Sequence, residues 1–309
     1  MTSRTTIPPL LDPYLSLPDE TSLIVLTSVL GASTNWLVLR FLHSLLKSSP
    51  SSLPPSSPRI ITPDGPNGGQ QQKTSIILLS FLRDFPFWRE TASRLGVDLE
   101  AHTRRGSFTF IDGLSNLFSS PSGSSTPTPT PSSSSSSPPG GKYTLSTPTI
   151  TELSKTLHKA VDDLRCRSGG AEPKIVLVID QLDLLLASTS TSTSSTSFPE
   201  GNTSQALRDM LLDLREKTHT TILTLSADDP LLNAQTTTLE KDHAAFVLSL
   251  AHEARMLMSL RLLDTGTAKD VSGVLRITNG GDDVVPVEER EYLYHVGGDG
   301  GVRVFERGQ

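Results

Sequence analysis

The sequence predicts an α/β protein with a mainly parallel central sheet flanked by helices and antiparallel strands at its C-terminal end. Three observations lead there. Strand-like and helix-like segments alternate from Leu23 to Ser226, which covers both faces of a parallel sheet with helices. The runs Ser75-Ile-Ile-Leu-Leu-Ser-Phe81 and Lys174-Ile-Val-Leu-Val-Ile-Asp180 are apolar without alternation, as strands buried on both faces are. Finally, Tyr292-Leu-Tyr-His-Val296 and Val302-Arg-Val-Phe305 are joined by Gly297-Gly-Asp-Gly-Gly301, a hairpin signal.

The elements follow in order. Met1 to Glu20 is punctuated by Pro and reads as a loose arm that packs through Leu10, Leu11, Tyr14 and Leu15. The first strand is Leu23–Thr27. A helix over Thr34–Lys47 follows, capped by Ser33 or Thr34, whose hydroxyl accepts from a free first-turn N–H. Its apolar residues span too wide an arc for a surface helix, so it should be largely buried. Ser75–Phe81 is the second strand. Pro86 opens and Gly96 stops the next helix, and Phe108–Asp112 is the third strand. Ile150, Leu153, Leu157, Ala160, Val161 and Leu164 form a helical stripe. Ile175–Ile179 is the fourth strand, Ser204–Lys217 a helix and Thr221–Ser226 the fifth strand. A helix over Leu239–Glu253 leads into the antiparallel tail.

Only 35% of the 309 residues are apolar and 19% are charged, low for a globular domain. The deficit is local. Ser119 to Gly141 contains only Ser, Thr, Pro and Gly, and Ser188 to Ser197 only Ser and Thr. Such tracts have little to bury against the entropy of ordering. The chain therefore reads as a single domain, 1–309, with flexible inserts at about 48–73, 119–141 and 187–203. A net charge of −6 gives nucleic-acid binding no support from composition. The single cysteine, Cys166, excludes an internal disulfide and suits a reducing compartment. No run approaches the roughly 20 apolar residues of a membrane span, and Met1 to Pro9 lacks the apolar stretch of a secretory signal. A soluble intracellular protein is the expectation.

The fourth strand ends in Asp180, where nucleoside-triphosphate hydrolases place the acid that organises Mg²⁺. Its companion should be a phosphate cradle, Gly-x-x-x-x-Gly-Lys-Ser/Thr, after an earlier strand. The segment after the first strand is instead Ser28-Val-Leu-Gly-Ala-Ser-Thr-Asn-Trp36, with one Gly and no Lys. The chain has the shape of a nucleotide hydrolase without the means to turn nucleotide over by itself. Asp180 is then a vestigial metal-site acid or a strand-end cap, and Asp183 shares that ambiguity. Arg83, just past the second strand, could reach a neighbouring subunit's nucleotide in trans, or pair locally with Asp84 or Glu90. Arg104 and Arg105, the densest basic pair, could touch RNA phosphate or lie on a solvated loop. The seven histidines show no ligand spacing. No metal site, cofactor or catalytic residue is assigned.

Five segments in fixed order narrow the reading: Leu79-Ser-Phe-Leu-Arg-Asp-Phe-Pro-Phe-Trp88, Phe110-Ile-Asp-Gly-Leu114, Val178-Ile-Asp-Gln-Leu-Asp-Leu-Leu-Leu186, His243-Ala-Ala-Phe246 and Asp270-Val-Ser-Gly-Val-Leu275. Together they resemble the family of Elongator complex subunit six, in a fungal form. The resemblance implies a RecA-like fold without a working phosphate loop. It implies assembly with Elongator subunits four and five into a heterohexameric ring, two copies of each, and contact with the remaining Elongator subunits through that ring. It also implies tRNA binding by the assembly, support of wobble-uridine modification, and residence in the cytoplasm and also the nucleus. Two other readings stay open here: a free-standing divergent RecA-like ATPase or recombination-mediator type protein, and a RecA-shaped adaptor in another pathway.

Because the 119–141 tract carries no apolar side chain, its deletion should leave folding and assembly intact. Thermal unfolding of the deletion variant checks this, and a large drop in melting temperature would show the tract to be ordered.

Overall fold

A computed structural model describes residues 7–47, 73–117, 141–167, 172–191, 203–263, 266, 268–281 and 286–307. Most of the three predicted inserts, at 48–72, 119–140 and 192–202, lies outside the described residues.

Ten strands form one sheet in the order β10-β9-β8-β7-β1-β6-β5-β2-β3-β4. β1 (Ser22–Ser28), β2 (Thr74–Ser80), β3 (Phe108–Asp112), β4 (Lys142–Thr144), β5 (Lys174–Asp180), β6 (Thr220–Ser226) and β7 (Met256–Arg261) run parallel. β8 (Gly273–Asn279), β9 (Arg290–Val296) and β10 (Val302–Phe305) complete it as an antiparallel extension of β7. The parallel core and antiparallel tail are those the apolar runs and the hairpin signal predict. β4 is an addition. It is three residues long with only Tyr143 buried, so it lacks the continuous apolar run that marks the others.

Side chains of a strand alternate between faces, and each face has its own core. Ile24, Leu26, Ile76, Leu78, Val176 and Val178 pack under α1 (Asn35–Lys47) and α2 (Phe85–Arg94). Leu23, Val25, Ile77, Leu79, Leu177 and Ile179 pack under α4 (Ile150–Arg167), α5 (Asp183–Thr191), α6 (Thr203–Lys217) and α7 (Thr238–Glu253). α1 is buried almost all round, as its sequence requires, and buries Arg40 and His43 as well. The N-terminal arm contains a 3₁₀ helix, Pro9–Tyr14, with Leu11, Tyr14 and Leu15 buried against the first core. Tyr14 Oη donates to the Glu288 carbonyl at 2.9 Å.

α2 begins where Pro86 indicates. Asp84 caps it by accepting the Phe87 N–H at 3.0 Å. A short α3 (Leu99–Arg104) is capped by Asp98. α5 runs on through Ser188 to Thr191, into the tract whose composition argues against order. Burial of Leu182, Leu185 and Leu186 on the second core anchors its start, and tertiary contacts outweigh the weak local propensity.

Candidate functional site

β5 lies between β2 and β6, so its last residue has two in-register neighbours on the same face. Ser80 pairs with Asp180 across β2–β5, and Thr224 follows the Ile179–Leu223 pair across β5–β6. The Ser80 hydroxyl donates to Asp180 Oδ2 at 2.8 Å and the Thr224 hydroxyl to Oδ1 at 2.9 Å. Asp180 has 0% exposure. Its carboxylate therefore closes three strand ends on one another.

The network continues along the carboxyl edge. Gln181 has a left-handed backbone, φ 58°, and its N–H donates to Thr224 Oγ1 at 2.8 Å. The Ser226 hydroxyl donates to Gln181 Oε1 at 3.0 Å, and the Ser226 N–H to Asp183 Oδ2 at 3.2 Å. His243 Nε2 lies 3.0 Å from the Ser226 carbonyl. Burial pushes the Asp180 carboxyl above its ordinary range, against the opposing pull of its two hydroxyl donors and of Arg83. Burial raises Asp183 likewise.

The β1–α1 loop is closed by a different acid. The Leu30 N–H, in the position of a phosphate-cradling amide, donates to Asp228 Oδ1 at 2.6 Å. The Ala32 N–H turns back to the Val29 carbonyl at 2.9 Å, and Gly31 between them has φ 91°. The Asn35 N–H meets Ser33 Oγ at 3.3 Å, while the Thr34 carbonyl accepts from the Leu37 and Val38 N–H groups. A carboxylate thus holds the loop an incoming anion would have to enter. The Asp228-Asp229-Pro230 run after the fifth strand was the available sequence signal for it.

Arg83 follows β2 and is exposed. Its N–H donates to Ser80 Oγ at 2.9 Å and its guanidinium lies 5.0 Å from the centre of the Phe87 ring. The local pairing partners weighed for it are otherwise engaged: Asp84 caps α2, and Glu90 pairs with Arg94 at 2.6 Å. Asp112, at the end of β3, accepts the Leu114 and Ser115 N–H groups at 2.9 Å. The turn it closes contains Gly113, where a Cβ would come within 2.7 Å of the Phe81 ring. Two of the five ordered segments thereby meet in space.

Arg104 and Arg105 stand at the opposite edge. They end α3 before β3 begins and are exposed. Lys73 Nζ donates to the Arg105 carbonyl at 3.2 Å. The Arg167 side chain, from the end of α4, passes Gly106, its Cδ 3.6 Å from where a Cβ would sit. The fold so adds Lys73 and Arg167 to the predicted pair. Their distance along the chain hid that association from the sequence.

The model of Elongation complex protein 6 matches residues 70–296, which run from before β2 to the end of β9. The chain belongs to the Elongation complex protein 6 family. It is thus an Elongator subunit with a RecA-like fold. The KaiC-like protein PH0186 of the archaeon Pyrococcus horikoshii OT3 has a similar structure, with a TM-score of 0.53 and 14% identity over 98% of each chain; at that identity the fold alone is shared. No protein of curated function matches. The family match contains the Ser80–Asp180–Thr224 clasp, whereas β1 and its loop precede it.

Asp180→Ala should cost about 3 kcal/mol in urea unfolding, because two buried hydroxyls lose a charged acceptor. Asp180→Asn keeps an acceptor and should cost less than about 1 kcal/mol near pH 7. A raised folded-state pKa gives Asp180 a stabilising contribution that is full below its unfolded value and lost as pH rises through the folded one. The Asn variant should therefore compare worst with the parent near pH 4 and best near pH 7, which unfolding at both pH values checks.

Proposed function

We propose that this chain is the non-catalytic RecA-like subunit of Elongator, a pseudo-ATPase of fungal type. In this reading it assembles with subunits four and five, two copies of each, into a heterohexameric ring. The ring binds tRNA and supports modification of the wobble uridine, in the cytoplasm and also the nucleus. The chain is one RecA-like domain, and its Ser- and Thr-rich inserts are dispensable for that architecture. It uses no cofactor of its own.

The observation that carries the non-catalytic reading is the commitment of both acids at the nucleotide edge. Asp180 spends both oxygens on Ser80 and Thr224, and Asp228 occupies the Leu30 amide. Phosphoryl transfer relies on positioning and on positive charge around the phosphates. The β1–α1 loop supplies no Lys. Arg83, exposed beyond β2, is the cation this subunit could offer to a neighbour's nucleotide.

The basic amino edge supports a tRNA-facing role for Arg104 and Arg105. Lys73 and Arg167 reinforce them, and phosphate contacts depend on such local clusters more than on net charge.

Native mass spectrometry of the co-expressed three-subunit assembly tests the ring, with a hexamer of paired subunits expected and only smaller species when this chain is omitted. Recovery of this chain alone, under conditions that preserve large complexes, would count against the reading. In the same assembly, Arg104→Glu with Arg105→Glu should weaken tRNA binding several-fold at low salt and flatten its dependence on salt by about 1–2 in log–log slope. An unchanged slope would remove these two residues from the interface.

A further inference from the structure

On the α1–α2 side of the sheet, beside the β1–α1 loop, lies a cavity of about 340 Å³. No residue of the Asp180 network lines it. Its volume falls in the range of small-ligand sites, which begins near 300 Å³. Trp36 and Arg40 of α1, Phe87 of α2, Leu95 just after it, and Tyr294 of β9 form much of its wall. The Trp36 and Tyr294 rings lie 5.2 Å apart, tilted by 33°.

Arg40 is the anomaly. It is only 2% exposed, yet its one hydrogen bond among the described residues runs from Nη2 to the Gly300 carbonyl at 3.2 Å. Its Nε is buried without a partner. Burial lowers its pKa to about 10, and no neighbouring carboxylate offsets that. One helical turn earlier, Trp36 Nε1 is also buried and unpartnered, and residues four apart share a helix side. Buried donors are nearly always paired, and an unpaired buried cation is costly. The other cation on the wall, Arg94, is already paired with Glu90.

We propose that this cavity binds a small aromatic monoanion, a planar ring system bearing one carboxylate. The ring packs against the Trp36–Tyr294 wall and the carboxylate meets the Arg40 guanidinium. Small side-chain rotations, common on binding, would turn the shielded donors toward it. A single uncompensated positive charge suits a monoanion and not a nucleoside triphosphate. The inference rests on the cavity and is independent of the ring assembly.

Titration calorimetry of the full chain with 2-naphthoate and with its neutral isostere 2-naphthamide tests it. The acid should bind about tenfold or more tightly than the amide, as a charged hydrogen bond warrants, and should quench Trp36 emission. Arg40→Met should reduce the acid to the affinity of the amide without lowering the melting temperature. Leu95→Trp should fill the cavity and abolish binding of both. Equal affinity for acid and amide, unchanged acid binding in either variant, or displacement of the acid by ATP would overturn the proposal. Should Arg40→Met fail to fold, the acid–amide comparison and Leu95→Trp decide the matter alone.

Discussion

A single buried carboxylate holds the carboxyl edge of the sheet together. Asp180 takes hydroxyl hydrogen bonds from β2 on one side and β6 on the other, so three parallel strands end in one closed unit. Parallel neighbours are joined only through long crossovers; here their ends are also fastened directly. The Arg83 N–H on Ser80 and the Gln181 N–H on Thr224 extend the clasp into the loops that follow. The left-handed Gln181 backbone is part of the same constraint.

That commitment explains the polarity of the molecule. Asp112, Asp180, Asp183 and Asp228 crowd the carboxyl edge, and each accepts hydrogen bonds from the protein itself. Exposed Arg83 is the cation beside them. Lys73, Arg104, Arg105 and Arg167 gather at the amino edge instead. Charges more than about 8 Å apart in solvent are largely screened at physiological salt. The overall charge of −6 therefore does not decide what the basic edge attracts. Local arrangement does.

Much of the fold was legible in the sequence because parallel strands buried on both faces are written as unbroken apolar runs. Ser75–Phe81 and Ile175–Ile179 lie within a residue of their observed limits. β4 was not legible, since a short edge strand with one buried residue carries no run. α5 was hidden because its C-terminal half is written in Ser and Thr. The strand order was beyond reach as well. The pairing of Asp180 with Ser80 and Thr224 depends on β5 lying between β2 and β6, which no local pattern states. Asp180 could be singled out from its strand, but its hydrogen bonds to both neighbours could not. Asp228 went unremarked for the same reason, its amide partner lying 198 residues away.

Burial of polar groups separates the two halves of the α1–α2 face. Both carboxylate oxygens of Asp180 have a hydroxyl donor, so the low dielectric strengthens bonds already made. Arg40 Nε and Trp36 Nε1 lack acceptors, and the same dielectric makes an unmade hydrogen bond expensive. His43, three residues beyond Arg40, is buried too, with its pKa lowered to about 4 by burial and by the charges of Lys47 and Arg40. An apolar α1 would have packed at less cost. The helix keeps a positive charge against an aromatic wall, and that wall borders the cavity of about 340 Å³. The carboxyl edge is closed with acids, whereas the cavity beside the β1–α1 loop is lined by a base.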